Sequence, residues 1–250
     1  MLLADLVATS AEVAATRSRL VKVAALAGAL SAAGPSEVEI VCSYLSGSLR
    51  QRRTGVGWRS ARATVPPADQ PTLTVTEVDA AFEALAGLSG AGSQLARKAQ
   101  LDDLMVRATA HEQQWLAGLI TGETRQGALA GLMVDALIKA SGLPAASVRR
   151  AVMLAGLTSP VARAALTGGA EAVGAIGLVV GRPIRPMLAA SAKSVGEAMA
   201  SLTGPVAVEA KLDGIRIQAH RDGDLVRLFT RSLDEVTDRL PEVVAAVASL

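Results

Sequence analysis

Four charged residues interrupt an apolar, strand-like run at "EAKLDGIR", residues 209–216. At strand period, successive side chains point to opposite faces. Glu209 and Lys211 therefore share one face, Val208 and Ala210 take the other, and Asp213 and Gly214 turn the chain. A lysine held on a rigid strand and aimed into a cleft has the geometry of a nucleophile. Its amine attacks only when neutral, which requires a pKa lowered by desolvation or by nearby cations. Arg216 and Arg231 would supply such cations, and their forked guanidinium groups also suit phosphate. The competing reading is an edge strand whose charges face water, and the K-x-D-G spacing alone does not separate the two.

A second cluster lies upstream. From Glu39 to Asp69 there is no acidic residue between the two, yet the stretch holds Arg50, Arg52, Arg53, Arg59 and Arg62, with Trp58 among them. Such a run neutralises phosphates without reading a base sequence; the plainer reading is a solvated basic loop. "SGAGSQLARK" (89–98) is a glycine-rich turn into a helix, where backbone N–H groups suit a phosphate and a plain helix cap explains the glycines almost as well. "TGETRQGA" (121–128) places Arg125 either on nucleic acid or in a pair with Glu123.

These residues need elements to hold them. Half of the 250 residues are apolar but only 2% are aromatic, so the core is Ala, Leu and Val, a mixture that favours helix. Periods of three and four run through "RLVKVAALAGAL", with Leu20, Val23, Ala27 and Leu30 on one stripe. A capping box of Thr9 and Glu12 precedes it, with Thr16 an equal candidate for the cap. "LARKAQLDDLMVRATAHEQQWLAGLI", "GLMVDALIKASGL" and "AASVRRAVMLAG" repeat the helical pattern. After Gly181 the character changes. "GRPIRPML" reads as a rigid linker and "SVGEAMASL" as a helix. "VAVEAKLD", "IRIQAHR" and "LVRLFTR" read as strands, the last two joined in a hairpin at Asp222-Gly223. The expectation is a multidomain chain: an all-α domain over 1–178, a linker over 179–187, and over 188–250 the start of an α+β domain with too few strands to bury both faces of a sheet.

Several classes drop out. The net charge of +2 names no partner. One cysteine, Cys42, makes no internal disulfide and fits a reducing compartment. His111 and His220 stand far apart without acidic or thiol neighbours at ligand spacing, so no metal site is expected within the chain. The N-terminus lacks a basic segment and carries Asp5 early, unlike a signal peptide. Apolar runs break well before the ~20 residues of a membrane span. A cytoplasmic protein with no membrane partner is expected.

In its order of motifs the chain resembles the ATP-dependent DNA ligases, within the covalent nucleotidyltransferase superfamily. "EAKLDGIR" resembles the family's first motif, "LFTRSLDEVTDRLPEV" its next segment, and "RPIRPMLA" the start of its adenylation domain. "LSGAGSQLARKAQLDDLM" and "LITGETRQGALAGLMVDALIKASG" are similar to its helical DNA-binding domain, with Thr124 where the family has leucine. The resemblance implies that Lys211 carries AMP and that Glu209 recognises the adenine amino group. It implies that Arg216 and Arg231 contact ribose and phosphates; with the helical domain read as DNA-binding, the candidate DNA contacts are Arg50, Arg52, Arg53 and Arg59 of the acid-free run and Arg125. It also implies ATP and Mg²⁺ as cofactors, nicked duplex DNA as partner, and a monomer. Because the family's metal-binding carboxylates and phosphate-holding lysines lie in later motifs, the chain is expected to be an incomplete N-terminal portion that does not seal nicks alone. Two alternatives stay open: a non-catalytic DNA-binding ligase fragment, and an RNA ligase or capping-type nucleotidyltransferase, against which the long helical domain speaks.

Overall fold

Ala and Leu dominate the first two-thirds of the chain, and the backbone there is helix after helix. The computed structural model describes residues 1–51, 54–62, 65–124, 130–186, 191–210 and 213–250. They divide into two units, Met1–Val152 with Leu157–Gly177, and Met153–Gly156 with Leu178–Leu250.

The first unit is built from α1 (Leu3–Ala15), α2 (Arg19–Ala32), α3 (Val38–Leu45), the short α4 (Trp58–Ala61), α5 (Val75–Gly87) and α6 (Ser93–Arg107). There follow α7 (Ala110–Thr121), α8 (Ala130–Ser141), most of α9 (Ala145–Ala155), α10 (Thr158–Thr167) and α11 (Gly169–Gly174). Helix α2 packs along α8, and α3 against α10. Leu3, Leu6, Leu26, Leu30, Leu45, Leu116, Met133 and Leu137 fill the interior. Tyr44 and Phe82 meet edge-on there, ring centroids 6.4 Å apart. Burial raises the Tyr44 hydroxyl far above the usual phenol range, and the adjacent Asp79 carboxylate adds to the effect.

The long apolar pattern over 95–120 is two helices, not one. Thr109 Oγ1 accepts the Glu112 N–H while Glu112 Oε2 accepts the Thr109 N–H, a reciprocal cap that starts α7 where α6 has ended. Thr74 and Glu77 cap α5 in the same way. The cap of α2 differs from the expectation. Thr9 and Glu12 lie inside α1, where the Thr9 hydroxyl donates to the Asp5 carbonyl, and Thr16 ends α1. Ser18 caps α2, its Oγ accepting the Val21 N–H. Being nearer the first helical turn, it reaches the open N–H group that Thr9 cannot. Leu20, expected on the buried stripe, is 81% exposed in that first turn; Leu26, Ala27, Ala29 and Leu30 are buried.

The second unit holds α12 (Val195–Ser201), the antiparallel hairpin β1 (Ile217–Asp222) and β2 (Leu225–Thr230), a 3-10 turn at Thr237–Arg239, and α13 (Pro241–Ala248). Leu240, Val243, Val244 and Val247 pack over Val226, Leu228 and Val236. The hairpin forms one residue later than expected. Asp222 pairs with Leu225, so the two-residue loop is Gly223–Asp224, with Gly223 at φ +57° in the first position. That is where a type II′ turn needs glycine. A second correction concerns the strand expected over 206–212. Its described part, 206–210, is exposed and forms no strand. An extended segment becomes a strand only when a neighbour takes its N–H and C=O groups, and among the described residues the sheet has two strands, β1 and β2, alone. No helix among the described residues is long and apolar enough to cross a membrane.

One consequence is measurable. The Thr74 backbone and hydroxyl, and then Arg107, all donate to Glu77, and they pull its carboxyl down to about 2 from 4.5. The lowered folded-state value means that its contribution is complete above about 4.5 and is lost as pH falls toward 2. Glu77→Gln should lower stability by about 0.5–1 kcal/mol at pH 7. The gap in urea midpoint between variant and wild type should close progressively below pH 4.5.

Candidate active site and nucleic-acid interface

The arginine-rich loop leaves α3 through a left-handed turn at Gly47 (φ +77°). Its first arginine does not hang free. Arg50 Nη1 donates to Asp79 Oδ2 at 2.5 Å, and its other amino group lies 4.0 Å from Glu39. Asp79 is itself buried in α5, and its other oxygen accepts from the Tyr44 hydroxyl and from Gln51 Nε2, each at 3.3 Å. Gln51 donates further to Glu83 at 3.0 Å. Further along, Arg97 from α6 reaches back to the Thr54 carbonyl (3.0 Å) and the Leu88 carbonyl (2.6 Å). A Cβ on Gly55 would stand 2.7 Å from that guanidinium, and its φ of +69° also favours glycine. Gly47 is confined likewise, because a Cβ there would lie 2.5 Å from the Thr124 hydroxyl.

Beyond this anchored stretch α4 presents Trp58, Arg59 and Arg62. Trp58 is 57% exposed. Arg62 stacks over its ring, 4.9 Å from the centroid, and pairs with Glu123. Arg59 is exposed, with no bonded partner among the described residues. A cavity of about 770 Å³ between α1, α4 and α7 is lined by Ala61, Arg62, His111, Gln114 and Glu123, among others. A second, of about 550 Å³, lies beside the Gly47, Gly55 and Gly122 turns. Arg52, Arg53 and Arg125 lie outside the described residues, and Glu123, one of the two partners considered for Arg125, is taken by Arg62. Helix α6 begins after Gly92 in a left-handed conformation, without a side-chain cap.

In the second unit the segment ahead of the K-x-D-G motif is fastened to β1 by side chains. Gln218 accepts the Ile184 N–H (3.0 Å) and donates to the Ile184 carbonyl (2.6 Å). His220 Nδ1 accepts the Gly181 N–H at 2.9 Å. Arg185 donates from its backbone to Met153 and from its side chain to Gly156. Lys211 lies outside the described residues; Glu209, Asp213, Arg216 and Arg231 are all exposed, and none of them lines either cavity. Arg231 opens a tight turn in which Leu233 adopts φ +71°, a left-handed value that costs a branched side chain about 1 kcal/mol. Thr230, Ser232 and Asp234 bond to one another and hold it. Arg227 forks onto Glu235 at 2.5 and 3.0 Å, which keeps the Glu235 carboxyl below its usual range. Among the described residues no group of three or more His, Cys, Asp or Glu is placed to hold a metal ion.

Two family descriptions match. "DNA ligase N terminus" covers residues 57–138 and "ATP dependent DNA ligase domain" covers 186–250. A "Probable DNA ligase" of Streptomyces griseus is 57% identical over 250 residues, all of this chain and 49% of the relative. Proteins of the same description from Beutenbergia cavernae and Kineococcus radiotolerans are 56% and 55% identical over all of this chain and 50% of each relative. The chain belongs to the ATP-dependent DNA ligase family. It spans about half the length of the curated relatives it matches. Within the ligase family's N-terminal match fall α4 to α7, and with them Trp58, Arg59, Arg62 and Glu123. Glu209, Lys211, Arg216 and Arg231 fall within its ATP-dependent match.

The Asp79 network is testable by truncation. Removing the carboxylate takes the acceptor of the buried Tyr44 hydroxyl and leaves Gln51 only Glu83 and Arg50 only the more distant Glu39, whereas removing Arg50 leaves Asp79 two other donors. Asp79→Ala should destabilise by about 2–4 kcal/mol and Arg50→Ala by about 1 kcal/mol, read from urea unfolding.

Proposed function

We propose that this chain is the part of a nick-sealing DNA ligase that grips duplex DNA with its helices and carries the adenylated lysine. The observation that carries the reading is "EAKLDGIR" inside the stretch matched by the ATP-dependent ligase domain. In this reading the neutral Lys211 amine attacks the α-phosphorus of ATP. A P–N bond forms, the bond to pyrophosphate breaks, and the amine gives up its proton. AMP then passes to the 5′-phosphate at a nick, and the 3′-hydroxyl displaces it. Glu209 recognises the adenine amino group, while Arg216 and Arg231 hold ribose and phosphates. Mg²⁺ would neutralise the pyrophosphate as it leaves.

The helical region 1–178 binds duplex without sequence preference through Arg59 and the arginines at 52, 53 and 125. Arg50 joins them only so far as its pairs with Asp79 and Glu39 open. Residues 179–187 lead into an adenylation domain that starts at 188. The protein works as a cytoplasmic monomer.

The test is incubation with Mg²⁺ and ATP labelled at the α-phosphate. It is run on this chain, and on this chain joined to the remaining half of the Streptomyces griseus relative. Label should be held at Lys211, and Lys211→Ala should abolish it. Label mapped to another lysine, or no label in either form, overturns the assignment. For the helices, duplex affinity should fall steeply with salt, with a slope of about 0.9 per phosphate contacted. A salt-insensitive affinity, or one unchanged after replacing Arg52, Arg53 and Arg59 with Ala, counts against it.

A further inference from the structure

Arg62 stands apart from the other cations of α4 because a carboxylate already occupies it. From 40 to 68 the sequence offers no acid, so the partner comes from 61 residues away, Glu123 in the turn after α7. We propose that Glu123 is a displaceable counter-charge for Arg62, and that when duplex DNA binds, a backbone phosphate takes the place of the Glu123 carboxylate. The proposal rests on the duplex-binding reading above and adds to it the contact and the group that gates it.

Four features support an exchangeable pair. Both side chains are about half exposed, at 47% and 49%, so water competes for each and their attraction contributes little. The guanidinium is held from its other side by the Trp58 ring and keeps its position when the carboxylate leaves. A planar fork accepts a phosphate as readily as a carboxylate. The pair also lines the concave floor between α1, α4 and α7, where His111 and Gln114 offer further polar groups to an incoming backbone. Arg50 shows the opposite design. Its carboxylate is buried and shared with Tyr44 and Gln51, and so does not yield.

The exchange has a signature in salt dependence. In the wild type, each Arg62–phosphate contact releases a cation from DNA but uncovers Glu123, which collects one. The net contribution of Arg62 to the salt slope is therefore small. With glutamine at 123 the contact counts in full.

The experiment measures binding of a fluorescent duplex to residues 1–250 over a series of KCl concentrations. It compares wild type, Glu123→Gln, Arg62→Ala and the double variant, each checked for helix content by circular dichroism. Glu123→Gln should tighten binding at low salt by up to about fivefold and steepen the salt slope by about 0.9. Arg62→Ala should weaken binding, and in its background Glu123→Gln should change nothing. Equal tightening in the Arg62→Ala background would mean that Glu123 only repels DNA at long range, and overturns the proposal. Weaker binding by Glu123→Gln with helix content intact would mean that the pair is a structural clip, and also overturns it. If Glu123→Gln matches a salt-sensitive wild type, this proposal alone falls. If the wild type binds no duplex at any salt, the duplex-binding reading falls and takes the proposal with it.

Discussion

A carboxylate buried in a helical interior must find donors, and Asp79 obliges its surroundings to supply them. Ionised and shielded from water, it would cost several kcal/mol if left alone. Tyr44, Arg50 and Gln51 meet that need from α3 and from the loop that follows it. The satisfaction of one charge thus fixes where the arginine-rich loop leaves the body of the helices. Arg97 fixes it again at Thr54. What lies beyond, Trp58 to Arg62, is displayed from a framed base.

The second unit solves a related problem with neutral groups. Residues 181–184 do not form a strand, yet their backbone meets β1 through Gln218 and His220. The Gln218 amide presents a donor and an acceptor at the spacing of a peptide group, and so stands in for the backbone of a neighbouring strand. The bond to the Gly181 N–H makes His220 Nδ1 an acceptor, placing the ring proton on Nε2. The edge-on contact with Phe229, 5.1 Å between centroids, keeps the ring in that orientation.

Much of this was legible in the sequence, and the remainder has a pattern. Helices were readable because their period is local, and the hairpin because glycine beside aspartate is a local turn signal. The misplaced cap of α2 and the one-residue slip at Gly223 are also local, where two or three residues of similar chemistry compete within one turn. The candidate strand 206–210 fails for a different reason, since pairing is a property of the partner and not of the segment. The arginine run was visible but its division of labour was not. Nothing near Arg50 or Arg62 announces that their carboxylates come from 29 and 61 residues away. As candidate nucleotide residues, Glu209, Lys211, Arg216 and Arg231 rest on spacing and resemblance; Lys211 lies outside the described residues, and exposure and hydrogen bonding add nothing that gathers the other three.

The close approach of Gly47 to Thr124 reaches beyond local geometry. At position 47 both the backbone angle and the space exclude a Cβ, and the atom that fills the space is a threonine hydroxyl. Leucine, the family's residue at that place in the motif, has neither the same branching nor a hydroxyl at its γ position. The turn after α3 and the turn after α7 are therefore packed as one unit. Across related chains the identities at 47 and 124 should covary, and a substitution at either is to be interpreted only with its counterpart in view.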